Sequence, residues 1–358
     1  MPNNLPHDIT INILIKLPVK SLLRFKCISK SWRSLIEDDT YKSHKIFVTG
    51  GDCDKTDDYF YSIDGPLQHD SIASLLKSPI PEITKLSSVC FINGILVLIL
   101  PCYPYDLVVF WNPAISKSRI IQCPILRKRE RTTNWKQFHA AIYGVGYVSS
   151  TDDYKIIRVG QKYYSSYYNV HIYSTNSNSW KLMGKFHQNN KFFDGDIVTV
   201  DGIVYIIAIT DLCNISPNDF TIVRFNLEKE KFQEILFPDR IKSWEDPALC
   251  TLGENLCLTR LHNDSRRDFE VWYMTKNGMS YSWSKMLTIP SVHCGRCLRP
   301  VSFMIKNGDI LFLWHKGEFV VYNSKKHKLE EVKVAGLEAP LYFNWVVPYV
   351  ETLFFPKS

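Results

Sequence analysis

A two-part unit repeats along most of the chain with a period of about 50 residues, and few folds accommodate such a repeat. Its first part is a turn containing glycine, followed by an apolar strand. The turns of this kind are Asn93-Gly94, Asp201-Gly202, Leu252-Gly253 and Asn307-Gly308. Asn-Gly and Asp-Gly favour tight hairpins because both residues tolerate positive φ. The first two turns lie two periods apart, and residues 150–153 are predicted to form the missing turn between them.

The second part of the unit is a strand with an aromatic residue, then a polar turn and a returning strand. The aromatic positions are Trp111, Tyr173, Phe225, Tyr273 and Tyr322. About four strands per unit, at this period, are typical of a β-propeller, in which each blade buries its faces on its neighbours. We therefore predict a mostly β chain with about five to six propeller-like blades.

Shorter segments predict how the repeat is completed at its two ends. Ile46-Phe47-Val48 and 59–63 are interpreted as part of a sixth unit. The C-terminal segments 341–343 and 352–355 are expected to close the propeller against them, because an open propeller would expose strand edges. A pair of β-sandwiches is the competing fold, and it is disfavoured because the repeat runs on without a linker.

The first 45 residues are different, since their apolar residues recur at helical spacing. Ile9, Ile13 and Leu17 share one face of a predicted helix, which Pro18 ends. Two further short helices are predicted before residue 45. So small a three-helix unit is marginally stable alone, and exposed Leu, Ile and Pro residues usually mark an interface. We therefore divide the chain into a docking module, 1–45, and a repeat domain, 46–358.

The docking module resembles the F-box. The similarity runs without a gap through Leu5-Pro6-x-Asp8-Ile9, Ile13-Leu14-x-x-Leu17-Pro18-Val19-Lys20-Ser21-Leu22 and on to Ser31-Trp32. The resemblance implies binding to a Skp-type adaptor and, through it, to a cullin-based ubiquitin ligase. The residues that it would place against the adaptor are Leu5, Pro6, Ile9, Ile13, Leu17, Pro18 and Leu22. A helical cap packed on the β domain is the alternative interpretation.

The repeat domain resembles the F-box-associated domain of plant F-box proteins, a group that includes the S-locus F-box proteins. The segments that carry this similarity are Phe110-Trp111-Asn112-Pro113-Ala114, 143–147 with 152–155, 172–174 with 178–180, and 271–274 with 282–285. The resemblance implies a kelch-like propeller that binds a target protein. It does not indicate which target or which biological pathway.

Two segments of the repeat domain are candidates for contacting a target. Arg127, Arg129 and Arg131 form a basic run that suits an acidic patch, although a solvated loop is the favoured interpretation. Tyr163, Tyr164 and Tyr167 belong to a tyrosine-rich run. Exposed tyrosines are common at binding hot spots, but half-buried rings of a hairpin loop fit this pattern equally well.

Motifs for enzyme chemistry and metal binding are incomplete. Cys294-x-x-Cys297 lacks the second ligand pair of a zinc site, and 52–58 lacks the glycine and glutamate of a calcium loop. Gly144-Val145-Gly146 precedes no predicted helix, so it does not form a phosphate cradle. Asp152-Asp153 lies in a repeating turn, which favours a turn role over acid–base catalysis. We therefore predict no catalytic residues, no cofactor and no metal.

Composition places further limits on partners and location. The net charge of +7 is not concentrated enough to indicate nucleic acid. The longest apolar stretch, 95–100, is too short to span a bilayer, and the N-terminus lacks a signal-peptide pattern. We expect a cytoplasmic or nuclear protein with reduced thiols.

Together these features predict a non-catalytic receptor: the substrate-recognition subunit of an SCF-type ubiquitin ligase, which binds a target protein for ubiquitination and degradation. Two alternatives remain. One is a carbohydrate-active propeller enzyme with a helical cap, and the other is an F-box scaffold that binds its client without degrading it.

Overall fold

The computed structural model describes residues 44–356 except for 52–58, 66, 68–70, 81–85, 103, 127–140, 162–166, 188–191, 210–219, 239–244, 254, 262–267, 278–279, 291–298, 305–308, 315–317, 338–341 and 353. Before residue 44 it describes Ile9, Ser21 and Arg24, each in helical conformation. From residue 44 onward the described chain is almost all β-strand, as the repeat predicts.

Contacts between Cα atoms divide the chain into two units, and the first comprises 1–122 and 333–355. It contains two four-stranded antiparallel sheets, except that β7 runs on past residue 122. The strands of these sheets are β1 (His44–Gly51), β2 (Tyr59–Asp64), β3 (Ala73–Leu75), β4 (Ser88–Ile92), β5 (Ile95–Leu100), β6 (Tyr105–Asn112), β7 (Lys117–Leu126) and β24 (Tyr342–Val350). Their orders are β24-β1-β2-β3 and β4-β5-β6-β7.

The second unit comprises 123–332 and 356–358, and it contains four more four-stranded antiparallel sheets. Each sheet consists of four strands that are consecutive in sequence. These strands are β8 (Ile142–Val148), β9 (Asp153–Gln161), β10 (Tyr167–Ser174), β11 (Ser179–His187), β12 (Phe192–Val200), β13 (Ile203–Ile209), β14 (Phe220–Asn226), β15 (Lys231–Ile235), β16 (Glu245–Leu252), β17 (Asn255–Leu261), β18 (Phe269–Asn277), β19 (Ser280–Ile289), β20 (Arg299–Met304), β21 (Asp309–Trp314), β22 (Glu318–Asn323) and β23 (Lys328–Val332). The described strands form six such sheets in all, which confirms six blades, the higher of the two predicted numbers.

The C-terminal strand completes the sheet that the N-terminal strands begin. Strand β24 pairs antiparallel with β1, and Val346 lies opposite Val48. This pairing confirms the prediction that C-terminal residues complete the sheet that contains 46–48. The strand that does so begins at residue 342. The second predicted C-terminal strand, 352–355, is wrong. The carbonyl oxygens of Thr352 and Phe354 accept hydrogen bonds from the Asn112 side chain rather than from a neighbouring strand.

Asn112 therefore connects three parts of the first unit. Its Nδ2 lies 2.9 Å from the Thr352 oxygen and 2.8 Å from the Phe354 oxygen. Its Oδ1 accepts a hydrogen bond from the Ala114 backbone at 3.1 Å, which caps the short 3-10 turn Pro113–Ile115. The preceding residue, Trp111, packs its ring against Phe47 and Phe60, with ring centroids 5.8 and 5.5 Å away.

The sheets β8–β11 and β12–β15 approach closely because β8 contains two glycines. A Cβ atom on Gly144 would overlap Val204 in β13, and one on Gly146 would overlap Leu227. The first strands of consecutive sheets, β8, β12, β16 and β20, contact one another in turn. The Gly144-Val145-Gly146 motif thus allows one blade to pack on the next, which accounts for its place in the repeat.

The two ends of the sheet β8–β11 are built differently. At one end are the turns 149–152 and 175–178, in which Asp152 and Asn178 have φ values of 49° and 48°. We call this the tight-turn end, and its first turn is the missing member of the predicted series. At the opposite end, β9 ends at Gln161 and β10 begins at Tyr167. We call this the loop end, because it joins 188–191 and two connections, 127–141 and 162–166, that are longer than the four-residue turns.

A buried ionic cluster joins strands β17, β18 and β19. Arg260 Nε donates to Glu270 Oε2 at 2.7 Å, and Trp272 Nε1 donates to the same oxygen at 2.9 Å. Lys285 Nζ donates to Glu270 Oε1 at 3.1 Å. Burial raises the pKa of Glu270, but these three donors and the charge of Arg260 outweigh it and leave the pKa below its ordinary value.

The substitution Asn112→Ala should destabilise the folded chain by about 2–3 kcal/mol, because it leaves two carbonyls and one backbone N–H without their partner. Asn226 is the matched control, since it also follows the aromatic residue of a third strand but, among the described residues, its side chain accepts only an exposed bond from the Lys229 backbone at 2.7 Å. Asn226→Ala should cost less than about 1 kcal/mol. Denaturant unfolding measures both, and equal losses would contradict the role given to Asn112.

Acid should weaken the Glu270 cluster. The pKa of Glu270 is lower in the folded than in the unfolded chain, so its carboxylate stabilises the fold above the ordinary value of 4.5. That contribution is lost as the pH falls through the folded-state pKa. We expect Glu270→Gln to cost about 3 kcal/mol near neutral pH. The stability difference between the two chains should shrink progressively as the pH falls below 4.5.

Denaturant unfolding at a series of pH values measures this difference. Glu330→Gln is the control, because Glu330 pairs with Lys326 at 2.9 Å on the surface, where their side chains are 39% and 63% exposed. It should cost less than about 0.5 kcal/mol. A Glu270→Gln penalty that does not change with pH would show that the carboxylate charge is not what stabilises the cluster.

Candidate protein-binding surface

The structure describes one of the seven residues predicted to contact the adaptor. Ile9 is helical and its side chain is 46% exposed, as a docking residue requires. The other six lie outside the described residues, so the docking face as a whole stays a prediction. These six are Leu5, Pro6, Ile13, Leu17, Pro18 and Leu22.

Among the residues predicted to contact a target, Tyr167 lies within the described chain. The segment 127–140 precedes β8, whose Ile142 pairs with Val159 near the end of β9. The segment 162–166 joins β9 to β10. The strand register therefore attaches both candidate segments to the loop end of the sheet β8–β11. The other candidates, which lie outside the described residues, are Arg127, Arg129, Arg131, Tyr163 and Tyr164.

The tyrosine-rich run is divided between surface and core. Tyr167 is 37% exposed, and Lys185 Nζ lies 5.6 Å from the centroid of its ring. Tyr168 points to the other face of the sheet, where it is buried with its ring centroid 4.9 Å from that of Phe193. Tyr167 thus fits the interpretation as an exposed binding residue, and its neighbour Tyr168 fits the interpretation as a buried ring.

The face that carries Tyr167 presents basic and polar side chains across all four strands. Residues opposite one another in neighbouring strands share a face. One row across the sheet contains Tyr143, Arg158, His171 and Leu182. The next row toward the loop end contains Gly160, Asn169 and Lys185. On this face, Lys185 and Leu182 in β11 are exposed, whereas Arg158 in β9 is largely buried.

Arg158 is 8% exposed and has no carboxylate partner in the described part of the chain. Its Nε donates to Tyr143 Oη at 3.0 Å, and its Cζ lies 5.8 Å from the Tyr143 ring centroid. Within the same described residues, Nη1 and Nη2 donate no hydrogen bond, and neither is among the buried unpartnered atoms, so both reach solvent. The sequence of strands β8–β11 contains a single carboxylate, Asp153, and it lies at the tight-turn end.

The guanidinium of Arg158 extends toward the loop end. A Cβ atom on Gly160 would lie 3.0 Å from Arg158 Cζ and 3.1 Å from Nη2, so the guanidinium covers the Gly160 backbone. His171, opposite Arg158, has a buried Nδ1 without a hydrogen-bond partner in the described structure. Burial lowers the pKa of His171, and the charge of Arg158 lowers it further, which keeps the imidazole neutral near pH 7.

The carboxylate of Asp153 has a structural role at the tight-turn end. It accepts hydrogen bonds from Ser174 Oγ at 2.6 Å, Thr175 Oγ1 at 2.9 Å and the Asn176 backbone at 3.0 Å. These bonds hold the turn that follows β10 against the start of β9. This confirms the turn role predicted for Asp152-Asp153.

Sequence reasoning did not single out Arg158, His171 or Lys185. Each is an ordinary polar residue in an alternating strand, and the three are distributed over a span of 28 residues. One available signal was the scarcity of acidic residues in 142–187 beyond the turn at Asp152-Asp153. The strand register is needed to show that these side chains share one face.

Comparison with known families matches both parts of the chain. The family described as F-box associated beta propeller domain matches residues 55–354, and the F-box domain matches 2–44. The chain belongs to the F-box proteins with an F-box-associated β-propeller. This confirms both resemblances and the fold class, a mostly β chain with an F-box at its N-terminus. The described residues contain no helix long and apolar enough to cross a membrane.

Relatives of this F-box protein match most of its length. It is 26% identical over 340 residues to F-box/kelch-repeat protein At3g23880 of Arabidopsis thaliana, covering 90% of this chain and 88% of the relative. It is 25% identical over 363 residues to the F-box protein CPR1 of Arabidopsis thaliana, covering 92% and 84%. Among solved structures, TolB from Acinetobacter baumannii superposes with a TM-score of 0.50 at 7% identity, over 93% of this chain and 71% of TolB. The likeness to TolB is one of fold alone.

Alanine substitutions should separate the two neighbouring tyrosines. Tyr168→Ala should lower the free energy of unfolding by about 3 kcal/mol, because it removes a buried ring. Tyr167→Ala should change it by less than about 0.5 kcal/mol, because Tyr167 is a surface residue. Denaturant unfolding of both variants measures the difference. A comparable loss in both would place Tyr167 in the core and remove it from the candidate surface.

Proposed function

We propose that this F-box protein is the substrate-recognition subunit of an SCF-type ubiquitin ligase. The observation that carries the proposal is the presence of an F-box and an F-box-associated propeller in one chain. The F-box match supports docking on a Skp-type adaptor and, through it, on a cullin. The name shared by the relatives supports the same family role.

The two parts of the chain have separate tasks in this proposal. The F-box residues Leu5, Pro6, Ile9, Ile13, Leu17, Pro18 and Leu22 contact the adaptor. The propeller holds a target protein at the loop end of the sheet β8–β11. There the basic residues Arg127, Arg129 and Arg131 and the tyrosines Tyr163, Tyr164 and Tyr167 form the contact surface.

Proximity supplies the catalytic effect in this scheme. A receptor that holds a target lysine near a charged ubiquitin-conjugating enzyme converts a bimolecular encounter into an effectively intramolecular one. The receptor therefore contributes no side chain to the bond-making step. Degradation of the target follows its ubiquitination, and we place the complex in the cytoplasm or the nucleus.

The adaptor contact is tested by substituting the F-box face in the full-length chain. Leu17→Asp, and separately Pro6→Ala combined with Leu22→Ala, should abolish co-purification with a Skp-type adaptor and with cullin. A buried aspartate in an apolar interface is strongly unfavourable. Circular dichroism should show an unchanged β spectrum, because the propeller does not depend on these residues.

Ile120→Asp is the matched control for this experiment. Ile120 in β7 is 51% exposed, so the substitution places the same charge on the propeller surface. It should leave adaptor binding unchanged. Full adaptor binding by the Leu17→Asp chain would refute the docking assignment.

A further inference from the structure

Arg158 differs from the other buried or half-buried arginines of the second unit. Arg260 donates to the Glu270 carboxylate at 2.7 Å, and Arg224 donates to Gln233 Oε1 at 2.8 Å and to Tyr281 Oη. In both cases the guanidinium has an acceptor and a structural role. Arg158, at 8% exposure, has terminal Nη1 and Nη2 groups without an acceptor in the described structure.

The terminal amino groups of Arg158 are not among the buried, unpartnered side-chain atoms of the described structure, so they reach solvent from a residue that is otherwise buried. A recessed guanidinium in this position can exchange its water contacts for an anionic ligand. The Nδ1 atom of His171 in the same row is buried without a partner among the described residues. Two neighbouring polar groups therefore have hydrogen-bonding atoms without a protein partner in the described structure at one place in the sheet.

We propose that Arg158 binds an anionic group of the target protein, a carboxylate or a phosphoryl group, that enters from the loop end of the sheet β8–β11. This inference rests on the proposed function, since it takes the ligand to be part of a recognised target. A guanidinium with two free terminal amino groups matches the two oxygens of a carboxylate or phosphate in a fork geometry.

The surroundings of Arg158 fit an acidic ligand. Gly160 leaves room for the guanidinium to reach toward the loop end, where a larger residue would displace it. Asn169 and Lys185 lie in the next row on the same face, and exposed Tyr167 follows. Lys185 supplies a second positive charge at the entrance, and Tyr167 supplies a rigid contact surface. The single carboxylate of these four strands is engaged at the opposite end by Ser174, Thr175 and Asn176.

The test uses the full-length chain and three peptides of equal length: an oligoglutamate, an oligoglutamine and a peptide with phosphoserines. Isothermal titration calorimetry measures their affinities. We expect the oligoglutamate or the phosphoserine peptide to bind and the oligoglutamine not to bind. The peptide that binds more tightly, oligoglutamate or phosphoserine, shows whether the site prefers a carboxylate or a phosphoryl group.

Three substitutions locate the binding at Arg158. Arg158→Met should weaken the anionic peptide at least about tenfold, the loss expected when a charge-assisted bidentate contact is removed. Gly160→Ala should weaken it similarly, because the added Cβ displaces the flexible end of Arg158. Arg224→Met is the matched control, and it should leave peptide binding unchanged because Arg224 already has acceptors.

Thermal unfolding separates a binding role from a structural one. Arg158→Met should change the melting temperature less than Arg224→Met does, because Arg158 makes one hydrogen bond and no ion pair in the described structure. Arg224→Met should lower it, because it breaks existing bonds. The proposal is overturned by equal binding of oligoglutamine, by the absence of peptide binding, by unchanged binding in Arg158→Met, or by a loss of stability in Arg158→Met as large as that in Arg224→Met.

The Arg158→Met chain should still co-purify with the Skp-type adaptor. Adaptor binding and peptide binding are measured in separate assays, so a negative result in one assay counts against one proposal and not against the other. Loss of adaptor binding in the unsubstituted chain would count against the ligase role, whereas peptide binding tests the anion site directly.

Discussion

This structure depends on the packing of neighbouring four-stranded sheets against one another. A four-stranded sheet with apolar residues on both faces is not stable alone, so every blade needs its neighbours. In the second unit this packing is close enough that Gly144 and Gly146 have no room for a side chain against Val204 and Leu227. In the first unit, Trp111 packs on Phe47 and Phe60, and Asn112 fixes the C-terminal segment to the same place. Packing residues thus account for the motifs that identify the family.

The same constraint leaves the ends of the sheets as the place for recognition residues. In the sheet β8–β11 the tight-turn end is fixed by left-handed residues such as Asp152 and by the bonds of Asp153. The loop end carries longer connections and no equivalent network among the described residues. Loops positioned by a rigid scaffold are the usual arrangement for binding. The exposed Tyr167 and Lys185 and the recessed Arg158 all lie on the side of the sheet that leads to that end.

Two charged groups in the sheets of the second unit differ in their partners. The Glu270 carboxylate has three donors, so its cluster stabilises the fold at neutral pH and weakens in acid. Arg158 has one hydrogen bond and no counter-charge in the described structure, and its terminal amino groups reach solvent. This contrast is the physical basis for treating Arg158 as a recognition residue.

From turn residues and strand periodicity, which are local signals, the sequence alone predicted the division into an F-box and a β repeat, a propeller of about five to six blades and the turn at 150–153. It also predicted the pairing of the C-terminal residues with 46–48, but the strand expected at 352–355 failed because the Asn112 side chain binds the carbonyls of Thr352 and Phe354 instead. The folded structure was needed to show that there are six blades, that Tyr167 is exposed while Tyr168 is buried, and that Arg158, His171 and Lys185 share one face. The last two facts depend on the register of four strands, and a one-residue shift in register would move each side chain to the other face.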